Sequence, residues 1–398
     1  MQDAERRSIA VRLAVFFSAL FAGYGVNVPY FPLWLDARGL SAGEISLVLA
    51  MPAIVRIATT PALAFLADRR GAHRSLLIAA SVVAALATLA LATAHGFWPI
   101  LLVGIVVGAA TAALLPLSET VAMHGVQEAG LDYGQMRLWG SVAFVGASFA
   151  GGALLARHGT TVVVWTMAAC AAATLLAAVL LPRRSGGQNG TGSGKPGIRL
   201  VDVVALATWP PFLWFVAAAA ATQAAHAVIY AFGSLHWRAQ GIGPGWIGTL
   251  WAIGVVVEIA LFAVSGAAVR RVGPLVLLMV AAGAALVRWT AMATDPPLWA
   301  LVALQMLHGA TFGAAHLGGM HFIARAVPQQ QAGTAQALYA TVVGAAMAVS
   351  TLAIGDLYAR FGGGAYLVMS ALAGLGMVAA ARLSATWDGT PIDSNHAA

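Results

Sequence analysis

The sequence predicts an all-α membrane protein with twelve transmembrane helices arranged in two six-helix halves. Three observations carry this prediction: the composition, the lengths of the apolar runs and the distribution of the basic residues. Of the 398 residues, 60% are hydrophobic and 9% are charged. Soluble domains carry about 25% charged residues, because their surfaces face water. The chain has too little polar surface to cover a soluble fold, which predicts an integral membrane protein.

Apolar runs long enough to cross a bilayer recur along the chain. A helix needs about 20 residues to span the hydrocarbon core. Runs of that length occur as six, a gap and six more, at 9–35, 43–67, 75–94, 98–123, 136–157, 160–181, 207–236, 245–269, 275–294, 298–324, 334–357 and 364–384. The gap is rich in Gly, Ser and Asn, which is typical of a flexible linker. We therefore predict an N-terminal half at 1–181, a cytoplasmic linker at 182–206, and a C-terminal half at 207–398 with a short cytoplasmic tail.

The basic residues indicate how these helices are oriented. The chain has 21 Lys and Arg against 14 Asp and Glu, a net charge of +7. Most of the cations lie in segments that would face one side of the membrane, and Arg56 and Arg288 lie inside apolar runs. This asymmetry follows the positive-inside rule. It predicts a multi-pass protein of a bacterial-type cytoplasmic (inner) membrane with both termini in the cytoplasm, and it does not indicate a nucleic-acid partner.

The two halves repeat weakly, and one copy of the repeat carries a recognisable loop. Residues 64–71 align with residues 266–273, and both segments follow the second helix of their half and end in a basic turn. Internal repeats of this kind are typical of secondary transporters, whose substrate site lies near the membrane midplane. The loop sequence L-A-D-R-R-G-A-H-R, together with the twelve-helix pattern, resembles the major facilitator superfamily. Ala64 and His73 depart from that family's loop motif, and the second copy lacks its acid.

The resemblance implies a role for this loop. In the family it braces the cytoplasmic side during conformational switching, and the acid caps a neighbouring helix. We expect this role for the residues that match the motif, which are Asp68, Arg69, Gly71 and Arg74.

Several ionisable residues lie inside apolar runs, where each charge costs about 2.5–3.5 kcal/mol on insertion scales. Charges in such positions normally face a cavity or a partner, and pairing offsets part of their desolvation. Charged groups of this kind in helices of both halves favour a shared, hydrated and partly charge-paired cavity over a set of static ion pairs. The candidates are Arg56, Glu119, Arg137, His226, Glu258, Arg288, His308 and His316.

The spacing of these residues resembles one branch of the superfamily. Glu119 and Arg137 resemble the sugar-binding pair of lactose permease-like transporters, and Arg288 with His308 resembles their proton-coupling site. Thr311 stands where that branch has a proton-carrying Glu. The segments QMLHGATFGAAHLGGMHFIA and GVVVEI, which contains Glu258, look closer to the 3-phenylpropionate permease-like branch. That resemblance implies a proton symporter for an aromatic or other small organic acid.

The chemistry of the candidates supports an anionic substrate. Three cavity cations face two acids, and a surplus Arg holds a carboxylate bidentately. The expected substrate-binding residues are Tyr24, Asn27, Arg56, Glu119, Arg137, His226 and Trp251. The expected proton-coupling residues are Glu258, Arg288, His308 and His316, with Glu258 taking a proton from the outside before the loaded carrier turns inward.

The sequence thus predicts a proton-coupled transporter that imports a small organic acid, such as 3-phenylpropionate, by alternating access. A nucleoside or oligosaccharide proton symporter and a metabolite or drug exporter remain open. HExxH, GxSxG and Walker motifs are absent from the sequence, so an enzyme is not expected. The single cysteine offers no thiolate metal site. We expect a monomer in membrane lipid, with the proton gradient as energy source and with substrate and protons, but no metal or cofactor, as its partners.

Overall fold

The computed structural model describes residues 3–129, 131–182 and 200–392. These residues form helices and contain no strand. The α-helices are α1 (Asp3–Ala37), α2 (Ala42–Arg70), α3 (His73–Thr93), α4 (Phe97–Ala129), α5 (Tyr133–His158), α6 (Val162–Leu180), α7 (Leu200–Thr208), α8 (Pro210–Ala224), α9 (Ser234–Ala239), α10 (Pro244–Val272), α11 (Pro274–Met292), α12 (Leu298–Met306), α13 (Ala314–Ala326), α14 (Ala332–Phe361) and α15 (Ala365–Thr386). Two π-helical segments, Ile229–Gly233 and Gly309–Gly313, and a 3-10 turn at Gly362–Gly364 complete the order.

Eleven stretches of the described residues are long and apolar enough to cross a membrane. The last stretch, Ala332–Thr386, contains both α14 and α15, which the turn at Gly362–Gly364 separates. Each of the twelve predicted spans therefore corresponds to a helix or a broken helix. Helical spans suit lipid, because a helix satisfies its backbone polar groups within one segment. The predicted fold class is confirmed.

Two spans are interrupted, although the sequence predicts continuous runs for both. The seventh span consists of α8, a turn at Ala225–His226, the π-helical segment Ile229–Gly233, and α9. The tenth consists of α12, the π-helical segment Gly309–Gly313, and α13. A π-helical turn inserts an extra residue and redirects the side chains around it. Hydropathy does not detect this change, since the inserted residues are as apolar as their neighbours.

Contacts divide the chain into two compact units. Among the described residues, unit 1 contains 3–129, 131–182, 228–256 and 351–362, and unit 2 contains 200–227, 257–350 and 363–392. The core of unit 1 includes Leu13, Phe16, Phe17, Leu114 and Leu117. The core of unit 2 is rich in aromatic side chains, among them Phe212, Phe215, Phe322, Tyr339 and Trp387. Residues 183–199 of the predicted linker lie outside the described residues, and the predicted domain boundaries stay a prediction.

Candidate functional site

A buried arginine organises the polar residues of unit 2. Arg288 lies on α11 and is 1% exposed. Its Nη1 donates to Thr311 Oγ1 at 3.1 Å, and its Nη2 donates to Gln305 Oε1. The guanidinium carbon also lies 4.6 Å from the centre of the Trp289 ring. An unpaired charge at this depth would be expensive, so neutral acceptors and a ring face hold the cation where no water reaches it.

His308 connects Arg288 to an acid. His308 lies between α12 and the π-helical segment, and its Nδ1 is 3.3 Å from Arg288 Nη1. Because arginine is always a donor, Nδ1 accepts and the neutral imidazole carries its hydrogen on Nε2. Nε2 lies 3.5 Å from Glu258 Oε2, and the two side chains are 12% and 21% exposed. The order Glu258, His308, Arg288 therefore runs from the more exposed end of the cluster to its buried end.

His226 also belongs to the cluster around Arg288. It is fully buried in unit 2. Its Nδ1 lies 3.1 Å from the carbonyl of Thr222 and 3.2 Å from that of Gln223, so Nδ1 carries the hydrogen. Its Nε2 lies 3.1 Å from Thr311 Oγ1 and accepts that hydroxyl's hydrogen when the ring is neutral. A second positive charge beside Arg288 would be costly, which favours the neutral ring. Thr311 thus joins the arginine to the histidine.

Close packing of α10 against the broken tenth span places Glu258 beside this cluster. A Cβ on Gly309 would lie 2.9 Å from Val257 Cγ1, and a Cβ on Gly313 would lie 2.8 Å from Leu261 Cδ2. Both are shorter than ordinary side-chain contacts, so the two glycines permit the approach. His316 is half-buried farther along α13, where its ring meets that of Phe262 edge-on at 6.1 Å.

A second group of predicted residues lies in unit 1. Tyr133, the first residue of α5, donates its hydroxyl to Glu119 Oε1 on α4 at 3.2 Å. One turn later, the guanidinium carbon of Arg137 lies 3.8 Å from the centre of the Phe21 ring of α1 and 6.0 Å from that of Phe17. Among the described residues, no carboxylate lies within ion-pair distance of Arg137. Glu119 and Arg137 are therefore held by aromatic residues and not by each other.

The other predicted substrate ligands have local partners or are exposed. Tyr24 donates to the carbonyl of Thr111 at 3.4 Å, and Asn27 Nδ2 lies 3.9 Å from Met167 Sδ. Arg56 is exposed on α2. Trp251 is buried on α10, where its indole N–H donates to Ser234 Oγ at 2.9 Å and its ring stacks on Tyr230 at 5.9 Å.

The predicted switch loop holds the C-terminal end of α6. Arg74 Nε donates to the carbonyl of Leu181 at 2.9 Å, and its Nη2 donates to that of Val179 at 2.6 Å. These carbonyls have no partner within their helix, and a cation is favourable at the negative end of the helix dipole. Gly71 ends α2 with φ +58°, and Arg69 is exposed. The side chain of Asp68 lies outside the described residues.

Sequence reasoning missed two partners and the role of a third residue. Gln305 stands three residues before His308, and Thr311 three residues after it, so helical spacing makes each of them a neighbour of His308. Tyr133 stands four residues before Arg137, again one turn away. A search for polar residues at helical spacing from each buried charge would have found Gln305 and Tyr133. It could not have predicted that Thr311 bonds to His226, because that contact depends on two broken spans.

The geometry supports proton movement better than covalent or metal chemistry. Glu258, His308 and Thr311 form a chain of groups that accept or donate hydrogens around a fixed cation. The described residues contain no group of three His, Cys, Asp or Glu side chains that could hold a metal ion.

Comparison with known proteins identifies the family. The MFS_1 like family matches residues 10–367 of this chain. The chain is 32% identical over 371 residues to the "Probable 3-phenylpropionic acid transporter" of Escherichia coli, with 91% of this chain and 94% of that protein covered. It is 29% identical to the "Maltose permease" of Geobacillus stearothermophilus, with 82% of each chain covered.

Solved structures agree on the fold. The crystal structure of the nucleoside transporter NupG superposes with a TM-score of 0.78 at 17% identity, and the match covers 96% of this chain and 99% of that one. The match to the family extends over most of the sequence, and its members are transporters and not enzymes. The chain therefore belongs to the MFS_1 like family of major facilitator superfamily transporters.

Proposed function

We propose that this protein is a proton-coupled secondary active transporter that imports a small organic, aromatic acid by alternating access. The observation that carries the proposal is the chain Glu258–His308–Arg288, in which an acid reaches a buried cation through a histidine. Ionisable residues inside membrane spans are costly, and in transporters they mark ion and proton pathways.

In the proposed mechanism Glu258 is the proton carrier. It is the more exposed end of the chain, and its carboxylate oxygen Oε2 lies 3.5 Å from Nε2 of His308. A proton on Glu258 removes the negative charge that faces His308 and weakens this contact. The charge of Arg288 stays fixed by Thr311 and Gln305 in both protonation states. Proton binding therefore changes one contact of the cluster while its buried part is kept.

Two observations support an aromatic acid as the substrate. The relative from Escherichia coli, 32% identical, is named a probable 3-phenylpropionic acid transporter. In unit 1, Arg137 lies against the Phe21 ring and near Phe17, so a cationic group and aromatic faces occur together. Arginine binds a carboxylate bidentately, and rings pack well on rings.

The proposal also covers the membrane location, the orientation of the termini, the oligomeric state and the energy source. The distribution of basic residues supports a bacterial-type cytoplasmic membrane with both termini in the cytoplasm. We propose that the monomer is the working unit, and that it uses the proton gradient without a cofactor or a metal.

The test is uptake into proteoliposomes under an imposed pH gradient, with 3-phenylpropionate, a nucleoside and a disaccharide as separate substrates. Wild-type protein is expected to accumulate 3-phenylpropionate when the outside is acidic. Glu258→Gln is expected to lose accumulation by at least about tenfold while it still exchanges labelled for unlabelled substrate, because it mimics the protonated acid. Glu44→Gln is a matched control, since Glu44 bonds to Ser41 near the start of α2. Undiminished accumulation by Glu258→Gln would contradict the proposed proton carrier.

A second candidate is a proton symporter for an oligosaccharide. The 29% identity to a maltose permease favours it. Glu119 also offers a carboxylate that accepts hydrogen bonds from sugar hydroxyls. The same screen separates the two: accumulation of the disaccharide without 3-phenylpropionate would replace the first proposal by the second.

A further inference from the structure

The contacts of Tyr133 give this residue a role that neither the sequence pattern nor the family match assigns. Tyr133 is half-buried at the start of α5, where Asp132 caps the helix by accepting a hydrogen bond from the backbone N–H of Gln135 at 3.1 Å. The cap fixes the first turn of α5. The phenol ring meets Phe17 edge-on at 6.3 Å, which fixes its direction.

The hydroxyl of Tyr133 interacts with both the acid and the cation. It donates to Glu119 Oε1 at 3.2 Å and interacts with the guanidinium of Arg137, one turn farther along α5, both by charge and by accepting a side-chain hydrogen bond. The carboxylate thus already has a donor. The guanidinium lies over Phe21, and a ring contact of this kind occupies its face while its N–H groups point outward in its plane.

We propose that Tyr133 is a positioning residue that keeps Glu119 away from Arg137, and so leaves the arginine free to bind the carboxylate of the substrate. This inference rests on the proposed function, because it concerns the same transported acid. Tyr133 thereby sets specificity. With the hydroxyl present, the site offers a cation to a carboxylate, and without it the acid and the cation neutralise each other.

The test compares Tyr133→Phe, Glu119→Gln and the double variant. Tyr133→Phe keeps the ring against Phe17 and removes only the donor, so Glu119 is expected to pair with Arg137. The apparent KM for 3-phenylpropionate is expected to rise about tenfold at a maximal rate within twofold of wild type. In the double variant no carboxylate competes, and KM is expected to return to within twofold of wild type. A purely structural role for the hydroxyl predicts no such rescue.

A second readout does not depend on any transported substrate. Phenylglyoxal modifies accessible arginines, and mass spectrometry of the peptide that contains Arg137 measures its rate. Modification is expected to be several-fold slower in Tyr133→Phe than in wild type, and to recover in the double variant. If wild type transports no carboxylate, the proposed function fails, while this readout still decides the role of Tyr133.

Three results would overturn the inference. The first is wild-type KM and wild-type phenylglyoxal reactivity in Tyr133→Phe. The second is a double variant that stays as impaired as Tyr133→Phe. The third is a rise in KM for Glu119→Gln by itself, because that would make Glu119 a ligand of the substrate and not a group that Tyr133 restrains.

Discussion

The two groups of membrane-embedded charges, one in each unit, solve the same physical problem differently. In unit 2, Arg288 is 1% exposed and donates to Thr311 and Gln305. In unit 1, Arg137 is half-buried and lies over the Phe21 ring. A fully buried cation needs its donors matched, because water cannot supply acceptors. A half-buried cation can rest on a ring face and keep donors available.

Under the proposed function, this difference corresponds to separate roles for the two groups. A cation whose two terminal nitrogens are already bonded to protein groups is a fixed element, suited to hold the charge balance around a titrating acid. A cation that rests on an aromatic ring retains donors for a ligand. We therefore propose that the unit 2 group serves the proton and that the unit 1 group binds the carboxylate of the substrate. Substitutions of the same kind in the two groups should then have different kinetic consequences.

The largest effect is expected for Arg288→Lys. Lysine keeps the charge but carries its three N–H donors on one nitrogen, so it loses the planar fork that reaches Thr311 and Gln305 from two separate nitrogens. Each buried acceptor left without a partner costs about 1–3 kcal/mol. We expect the maximal rate of pH-driven uptake in proteoliposomes to fall about a hundredfold at equal reconstituted protein. A rate within threefold of wild type would show that the matched donors of Arg288 are not needed.

Arg137→Lys tests whether the cation of unit 1 binds the substrate. Lysine loses the planar fork that binds a carboxylate bidentately and the broad contact with Phe21. We expect KM for the transported acid to rise about tenfold, which corresponds to about 1.4 kcal/mol, at a maximal rate within twofold of wild type. Arg288→Lys is the matched control, since the substitution is the same. Equal losses of rate in both variants would remove the proposed division.

Thr311→Val tests whether transport needs the hydroxyl of Thr311 in unit 2. Valine has nearly the shape of threonine but lacks the oxygen that accepts from Arg288 and donates to His226. We expect the uptake rate to fall about tenfold, because one buried donor and one buried acceptor lose their partner. Thr311→Ser keeps the oxygen and should stay within about twofold of wild type. Equal rates for the valine and serine variants would show that the hydroxyl is not part of the pathway.

The fold could be predicted from the sequence because lipid leaves few alternatives. Twelve apolar runs of sufficient length and the positions of the basic residues constrain a helical bundle before any packing is known. The breaks in the seventh and tenth spans could not be predicted. Gly309 and Gly313 permit close approach to Val257 and Leu261, but glycine is common in membrane helices, so this signal is ambiguous.

The sequence shows which ionisable residues lie inside the apolar runs, but it does not show what each of them contacts. A charge inside an apolar run is visible in the sequence, and Arg288, His308 and Glu258 do lie together in unit 2. What each charge touches depends on helix rotation and on broken spans. His226, expected to contact substrate, is fully buried with both ring nitrogens hydrogen-bonded. The partner of Glu119 is a tyrosine and not the arginine.

The smallest effect is expected for an exposed charge outside the spans, which serves as the baseline for both groups. Asp388 follows the last span, and hydrogen bonds from the hydroxyl of Thr390 at 2.7 Å and from its backbone N–H at 2.9 Å lower the pKa of this carboxyl. Because the pKa is lower in the folded state, the stabilisation is present above the unfolded pKa and is lost as pH falls through the folded value.

Asp388→Asn should therefore loosen the turn at neutral pH and leave transport nearly unchanged. We expect the backbone amide of Thr390 to exchange its hydrogen several-fold faster than in wild type, while the uptake rate stays within about twofold. Acidifying wild-type protein below the folded pKa should likewise reduce the protection of this amide, measured as its exchange rate relative to the intrinsic rate of an unprotected amide at the same pH. Solvent screens an exposed charge and reduces its energetic contribution. A transport loss as large as that of Thr311→Val would mean that burial does not rank the effects of these charges.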